Sequence, residues 1–133
     1  MALRHERLEV ATNDAVVNVR QKVREFAVET RLSLVDQTKL ITAASELARN
    51  MVVYGGGGTV VVEQVQNNGK LGVRVTFEDQ GPGIPDVDLA MRDGYTSGGG
   101  LGLGLGGARR LAQDFELKTA PGEGTTIAIT RWK

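Results

Sequence analysis

Two clusters of glycine constrain the fold of this 133-residue chain more than any other feature of its sequence. Four of its 18 glycines form Gly55–Gly58, and eight more lie between positions 94 and 107. Glycine costs backbone entropy on folding, so such clusters indicate places where the backbone bends tightly or approaches a ligand. Leucines alternate with the glycines of the second cluster at Leu101, Leu103 and Leu105. A flexible linker does not need them, so we expect this segment to belong to the folded domain.

The hydrophobic pattern predicts helices before the first glycine cluster and strands after it. A first helix is predicted from an N-cap at Asn13 or Asp14, and a second over Val35–Tyr54. The remaining predicted elements are the strands Leu8–Thr12, Thr59–Val65, Leu71–Asp79, Phe115–Ala120 and Thr125–Trp132, and a helix over Leu103–Gln113. This order predicts an α+β fold: a two-layer α/β sandwich in which three helices cover one face of a mixed five-stranded sheet. The length fits a single domain, 1–133.

Composition excludes several classes of function. Lys and Arg number 16 and Asp and Glu also 16, so no basic excess favours nucleic acid. The absence of cysteine excludes disulfides, thiolate metal sites and cysteine nucleophiles, and it fits a reducing cytosol. No apolar stretch is long enough to span a bilayer, and the polar segment Met1–Glu9 does not resemble a signal peptide. We therefore expect a cytoplasmic protein that binds neither nucleic acid nor a membrane.

The second predicted helix carries Glu46 and Asn50, four residues apart at the border of its apolar face. If they face a cleft, the carboxylate could accept a proton and the amide could bind a Mg²⁺ ion. The same spacing is far more common on a solvated helix face, so this pair alone does not identify a site.

Asp79 ends a predicted strand in which every second residue from Val73 to Phe77 is apolar. Its side chain is therefore expected to leave the strand on the core side. An unpaired carboxylate there is costly and needs a donor, such as the exocyclic amine of a nucleobase. Gly81 and Gly83 would let the backbone pass close to that base. A strand-end turn capped by Asp79 is an equally good interpretation of this segment alone.

Within Gly98–Gly107, the residues Gly102, Gly104 and Gly107 match the pattern G-x-G-x-x-G. The dinucleotide-binding interpretation fails, because no strand immediately precedes the pattern and no βαβ unit contains it. Glycine-rich backbone that leads into a helix N-terminus still presents N–H groups to anionic oxygens. We expect a phosphate site here, and the segment does not name the nucleotide.

Thr125 opens the last predicted strand, directly after Gly122-Glu123-Gly124. It shares a face with Ile127 and Ile129, so it is expected to point into the same cleft as Asp79. A threonine at the start of a strand is ordinarily explained by β-propensity alone.

The four segments occur in one order along the chain: Glu-x-x-x-Asn on a helix, Asp-x-Gly-x-Gly after a strand, Gly-x-Gly-Leu-Gly-Leu before a helix, and Gly-x-Gly-Thr before a strand. This combination resembles the nucleotide-binding boxes of the GHKL (Bergerat-fold) superfamily, shared by gyrase B, Hsp90, histidine kinases and MutL. The similarity extends roughly from Thr38 to Trp132. Within the superfamily the chain resembles the RsbT-type anti-sigma regulatory serine/threonine kinases of the stressosome.

The resemblance implies roles for individual residues. Glu46 is implied as the general base, Asn50 as the Mg²⁺ ligand and Asp79 as the acceptor for the adenine amine. Thr125 is implied to support the adenine site, and Asp86–Gly100 to form a lid over ATP. The resemblance further implies a base pocket shaped by Gly81 and Gly83 and a phosphate cradle of Gly100, Leu101, Gly102, Leu103 and Gly104. One departure is Gly106-Gly107 in the first turn of the third helix, where glycine weakens helix formation.

The activity implied by the resemblance is that of an ATP- and Mg²⁺-dependent protein serine/threonine kinase whose substrate is a STAS-domain antagonist protein. A PP2C-type phosphatase or a sigma factor is the further partner that it implies. The alternative is a binding protein that sequesters a sigma factor or another regulator and has little kinase activity. A histidine-kinase fragment is a weaker interpretation, because the only histidine, His5, lies outside the predicted helices. A gyrase-like or chaperone-like ATPase would require additional domains.

Overall fold

The computed structural model describes residues 3–81, 83, 104–120 and 122–133 of the chain. Within these ranges the elements are β1 (His5–Val10), α1 (Asn13–Glu29), α2 (Leu34–Gly55), β2 (Gly58–Asn67), β3 (Lys70–Asp79), α3 (Gly104–Leu111), β4 (Asp114–Thr119) and β5 (Thr125–Trp132). The predicted α+β class and the order of the elements are confirmed. The first strand begins and ends earlier than predicted, because β1 pairs with β2 from His5 onward.

Side-chain caps determine where the two long helices begin. The Thr12 side chain accepts a hydrogen bond from the Ala15 amide, so the N-cap of α1 is Thr12 and not the predicted Asn13 or Asp14. Ser33 caps α2 in the same way. α2 ends where Gly56 adopts a left-handed conformation with φ of 74°, which glycine tolerates without strain. No helix in the described ranges is both long and apolar enough to cross a membrane.

The five strands form one sheet in the order β1-β2-β3-β5-β4, and every neighbouring pair is antiparallel. The expectation of a mixed sheet is therefore wrong. β3 and β4, which flank α3 in the chain, do run parallel to one another. They are not neighbours, however, because β5 lies between them and is antiparallel to both.

The core lies between one face of the sheet and the helices. α1 contributes Val19, Val23 and Phe26, which are completely buried, and α2 contributes residues such as Leu40 and Leu47. The sheet side of the core consists of alternate residues of the central strands: Val60, Val62, Val73, Val75, Phe77, Ile127 and Ile129. Burial of each large apolar side chain contributes roughly 1.5–3 kcal/mol, which makes this layer the main source of stability.

Candidate functional site

The middle of α2 carries Glu46, the one charged side chain that is buried among the described residues. Only 5% of its surface is exposed. Within the described part of the chain Glu46 forms neither an ion pair nor a hydrogen bond. Asn50 follows one turn later and is half-buried. Since no fully buried side-chain oxygen among the described residues lacks a hydrogen-bond partner, the Glu46 carboxylate keeps contact with solvent, where it can meet a proton, a cation or a donor. Burial of the rest of the side chain argues against an ordinary solvated-face residue.

Asp79 is the last residue of β3 and follows three alternate buried residues on the core side of the sheet. Its Oδ1 accepts a hydrogen bond from the Gly81 amide at 2.9 Å. The turn-capping alternative is thus realised, but it occupies only one carboxylate oxygen. No donor among the described residues is hydrogen-bonded to Oδ2, which is left for a ligand.

Thr125 begins β5 directly opposite Asp79 in the antiparallel register, so the two side chains share a face of the sheet. Thr119 of β4 lies opposite Thr125 in turn, and the two hydroxyl oxygens are 2.9 Å apart. Because the Thr119 hydroxyl donates to the Gly124 carbonyl at 3.1 Å, the Thr125 hydroxyl donates to Thr119. Thr125 can then offer a lone pair to a ligand or to a bridging water.

Gly124 brings the start of β5 against the end of β3. Its φ is 79°, and a Cβ at this position would lie 2.2 Å from the Asp79 carbonyl oxygen, far inside van der Waals contact. Glycine is required here both for the left-handed backbone and for the close approach. The ends of the two strands are therefore held together at the site.

α3 begins at Gly104 and packs against α2. Its first-turn N–H groups have no partner within the helix and can bind an anion. The helix continues through Gly106 and Gly107, which are buried together with Leu105 and Ala108. The expected weakness of this first turn therefore does not prevent the helix from forming, because tertiary packing outweighs local helix propensity.

Arg131 of β5 connects the beginning of α2 to the end of α3. Its Nε donates to Asp36 Oδ1 at 3.0 Å, and a terminal nitrogen lies 2.9 Å from the same oxygen. The other terminal nitrogen donates to the Leu111 carbonyl at the end of α3. Arg131 thus caps the C-terminus of α3 and ties it to the first turn of α2. The hydrogen bond from Arg131 holds the pKa of the Asp36 carboxyl below its ordinary value.

The predicted phosphate cradle is only partly described. Gly104, the first residue of α3, is its one described member. Of the predicted base pocket, Gly83 has a left-handed φ of 79°. Gly100, Leu101, Gly102 and Leu103 lie outside the described residues, as does the predicted lid at 86–100.

Three of the predicted site residues can be placed along the axis of α2. Gly55, the last residue of α2, contacts Asp79, since a Cβ at Gly55 would lie 2.6 Å from Asp79 Cγ. With a rise of about 1.5 Å per residue, Asn50 lies about 7 Å and Glu46 about 13 Å back along the helix axis from this contact. Asp79, Asn50 and Glu46 therefore follow one another in this order along the axis of α2.

Sequence reasoning missed two residues of this site. Gly55 was interpreted only as part of the glycine run that ends α2, and its contact with Asp79 has no local signal. Thr119 supports Thr125 from the neighbouring strand, and the register of the β4–β5 hairpin is the signal that could have identified it.

Comparison with known proteins shows which family this sequence resembles. The sequence profile of the family described as "Histidine kinase-, DNA gyrase B-, and HSP90-like ATPase" matches residues 35–133, from the start of α2 to the end of β5. The chain is 46% identical over 123 residues to the serine/threonine-protein kinase RsbT of Bacillus subtilis (strain 168), covering 92% of both proteins. It is 27% identical over 129 residues to an anti-sigma F factor of Oceanobacillus iheyensis, covering 92% of this chain and 86% of that protein.

Solved structures show the same fold. The structure of the RsbU and RsbW domains of Rv1364c from Mycobacterium tuberculosis superimposes with a TM-score of 0.66 at 23% identity. The match covers all of this chain and 33% of the longer protein. The mycobacterial sensor histidine kinase MprB superimposes with a TM-score of 0.55 at 20% identity, with 97% of each chain covered.

Proposed function

Since the chain belongs to the family of histidine kinase-, DNA gyrase B- and HSP90-like ATPases and is a protein serine/threonine kinase of the RsbT type, we propose that it phosphorylates a STAS-domain antagonist protein. The acceptor is a serine or threonine hydroxyl, and the reaction takes place in the cytoplasm on a single ATP-binding domain. The observation that carries this proposal is the burial of Glu46 on α2, one turn before Asn50.

Glu46 acts as the proton acceptor for the attacking hydroxyl. Its carboxylate has no ion pair among the described residues that would neutralise it. A positioned base of this kind contributes about 10²–10⁴-fold to the rate. Phosphoryl transfer otherwise depends mainly on position and on neutralised charge, so one base and a set of anion donors are sufficient protein machinery.

Asn50 is the residue that would hold Mg²⁺. Within the described ranges no group of three or more His, Cys, Asp or Glu side chains is arranged to bind a metal. This fits a magnesium ion that arrives with the nucleotide, because Mg²⁺ keeps several waters and takes one or two protein oxygens in addition to phosphate. A Mg²⁺ ion held there would supply positive charge to offset that of the phosphates. Asn50 supplies a neutral amide oxygen, and α3 supplies N–H donors at its N-terminus.

Asp79 Oδ2 accepts a hydrogen bond from the exocyclic amine of adenine, and Thr125 supports the same end of the site. The Gly81 amide holds Oδ1, which orients the carboxylate for this contact. Gly81 and Gly83 line the base pocket. Gly104 belongs to the proposed phosphate cradle, whose other members, Gly100, Leu101, Gly102 and Leu103, lie outside the described residues.

The decisive experiment is transfer of labelled γ-phosphate to a purified STAS-domain protein by the wild type and by Glu46→Gln. We expect the variant to bind ATP normally and to lose transfer by about 10²–10⁴-fold, since only the base is removed. Glu116→Gln, at an exposed position of β4, is the matched control and should transfer at the wild-type rate. Undiminished transfer by Glu46→Gln removes Glu46 from this role.

A second candidate function is sequestration of a sigma factor, and the similarity to an anti-sigma F factor favours it. In this alternative, nucleotide determines the conformation and little phosphate is transferred.

We further propose that the free kinase binds a PP2C-type phosphatase. Pull-down of each candidate partner with and without ATP separates the functions, because a stable complex without transfer supports the sequestering protein.

A further inference from the structure

The end of α2 presses against the carboxylate proposed to recognise the base. A Cβ at Gly55 would lie 2.6 Å from Cγ, 2.7 Å from Oδ2 and 2.9 Å from Cβ of Asp79. All three distances are well below van der Waals contact. No side chain larger than hydrogen fits at this position while Asp79 keeps its place.

The Asp79 carboxylate cannot easily give way, because one of its oxygens is also held by a hydrogen bond. Its Oδ1 accepts the Gly81 amide hydrogen at 2.9 Å. Gly81 itself lies against Gly55, since a Cβ at Gly81 would be 2.7 Å from Gly55 Cα and 3.2 Å from Asp79 Oδ1. The Asp79 side chain is thus in contact with the backbones of two neighbouring glycines.

Backbone conformation does not explain why glycine occupies position 55. Gly55 lies in the last turn of α2, and the left-handed residues that end the helix are Gly56 and Gly57, with φ of 74° and 95°. Glycine is about 1 kcal/mol less favourable than alanine inside a helix. The requirement for glycine at position 55 is therefore spatial, and the atoms nearest to an added Cβ all belong to Asp79.

We propose that Gly55 is a positioning residue for nucleobase recognition: its missing side chain leaves the space in which Asp79 aims Oδ2 at an exocyclic amine. This inference rests on the proposed function and assigns a determinant of base specificity to the C-terminus of α2. In Gly55→Ala the added methyl displaces the carboxylate. A base with an exocyclic amine loses its acceptor, whereas a base without that amine loses little.

The test measures the affinities of ATP and of inosine triphosphate, which carries a carbonyl in place of the adenine amine, by calorimetry with Mg²⁺. The wild type is expected to prefer ATP by about tenfold or more, the range of a hydrogen bond to a charged group. Gly55→Ala is expected to reduce that preference by about tenfold, mostly through weaker ATP binding. A general defect of the fold would weaken both nucleotides equally.

Gly56→Asn is the matched control at the neighbouring position. A Cβ at Gly56 has no atom within 4 Å, and asparagine tolerates its left-handed φ. The control should keep the wild-type preference. If Gly55→Ala also keeps it, the inference is overturned. If the wild type itself shows no preference, the proposed role of Asp79 in adenine recognition fails instead.

A double-mutant cycle on thermal unfolding of the ligand-free protein tests the same contact without nucleotide. Gly55→Ala is expected to lower the melting temperature in the wild-type background and much less in Asp79→Gly, where the side chain that the methyl meets is absent. An equal loss in both backgrounds overturns the inference, because the methyl would then clash elsewhere. A single variant that fails to fold but recovers in the Asp79→Gly background supports it.

Discussion

At the scale of single residues, the site depends on one carboxylate whose two oxygens have different tasks. Asp79 Oδ1 accepts the Gly81 amide hydrogen, and the Asp79 carbonyl oxygen lies against Gly124. The Asp79 side chain lies on the sheet face that Thr125 shares, and its Oδ2 lies beside Gly55. The local turn and the proposed adenine contact are therefore compatible uses of the same side chain.

Replacing Asp79 by asparagine tests this division of tasks. The amide oxygen of Asp79→Asn should take over the Gly81 hydrogen bond, which turns the NH₂ group toward the adenine amine and sets donor against donor. We expect ATP affinity to fall at least tenfold, with the melting temperature of the ligand-free protein nearly unchanged. Calorimetry with ATP and Mg²⁺ measures the effect, and unchanged affinity rejects the adenine assignment.

At the scale of secondary structure, α3 is held in place by a residue that is distant in the chain. Arg131 hydrogen-bonds Asp36 in the first turn of α2 and the Leu111 carbonyl at the end of α3. Both partners of the ion pair are largely buried, with 13% of the Arg131 side chain and 26% of the Asp36 side chain exposed. Both side chains are less exposed than those of the ion pairs that Arg4 forms with Glu25 and Glu29 of α1, so we expect a larger contribution to stability from this pair.

The ion pair makes stability depend on pH. Since Arg131 lowers the pKa of Asp36 from its ordinary value of 3.8 in the folded protein, the pair stabilises the fold above that value. The stabilisation is lost as pH falls through the lower folded-state pKa. We expect Asp36→Asn to reduce the free energy of unfolding by about 1–3 kcal/mol at pH 7, and the difference from wild type to shrink below about pH 4.

Urea unfolding of wild type and Asp36→Asn at pH 7 and pH 3 measures this difference. Asp14→Asn is the control, because Asp14 also lies in the first turn of a helix and forms no ion pair among the described residues. A difference between wild type and Asp36→Asn that stays the same at both pH values contradicts the assignment to the ion pair.

At the scale of the whole molecule, helices and sheet share one core, and the site lies at one end of its layers. Phe26 on α1 is completely buried, and the Arg4 guanidinium lies over its ring at 4.6 Å from the centroid. α1 precedes the range that matches the family profile, 35–133, and contributes none of the proposed site residues. We therefore expect the first helix to contribute to stability and not to nucleotide binding.

Phe26→Ala should distinguish a contribution of α1 to stability from a contribution to nucleotide binding. The cavity is expected to reduce the free energy of unfolding by about 3–5 kcal/mol. ATP and Mg²⁺ at one hundred times the dissociation constant should stabilise variant and wild type equally, by about 2.7 kcal/mol. Urea unfolding with and without nucleotide measures both quantities, and a smaller nucleotide increment in the variant would mean that α1 contributes to the site.

Sequence patterns predicted the features that depend on neighbouring residues. The alternation along β3 placed Asp79 on the core side, and helical spacing placed Glu46 and Asn50 on one side of α2, because each pattern repeats the geometry of its own element. The N-cap of α1 was misassigned because Thr12, Asn13 and Asp14 are all favourable cap residues. The roles of these residues in catalysis stay predictions.

By itself, then, the sequence determined the class of fold, the order of its elements and the side of each element on which the chemistry lies, since those follow from local backbone geometry and hydrophobic periodicity. Only the tertiary structure decided that β5 separates β3 from β4, that Arg131 binds Asp36 across 95 positions of sequence, and that Gly55 makes room for Asp79. These contacts join residues that are distant in the chain. They arise only when the two layers pack to the density of a protein interior, which no local pattern encodes.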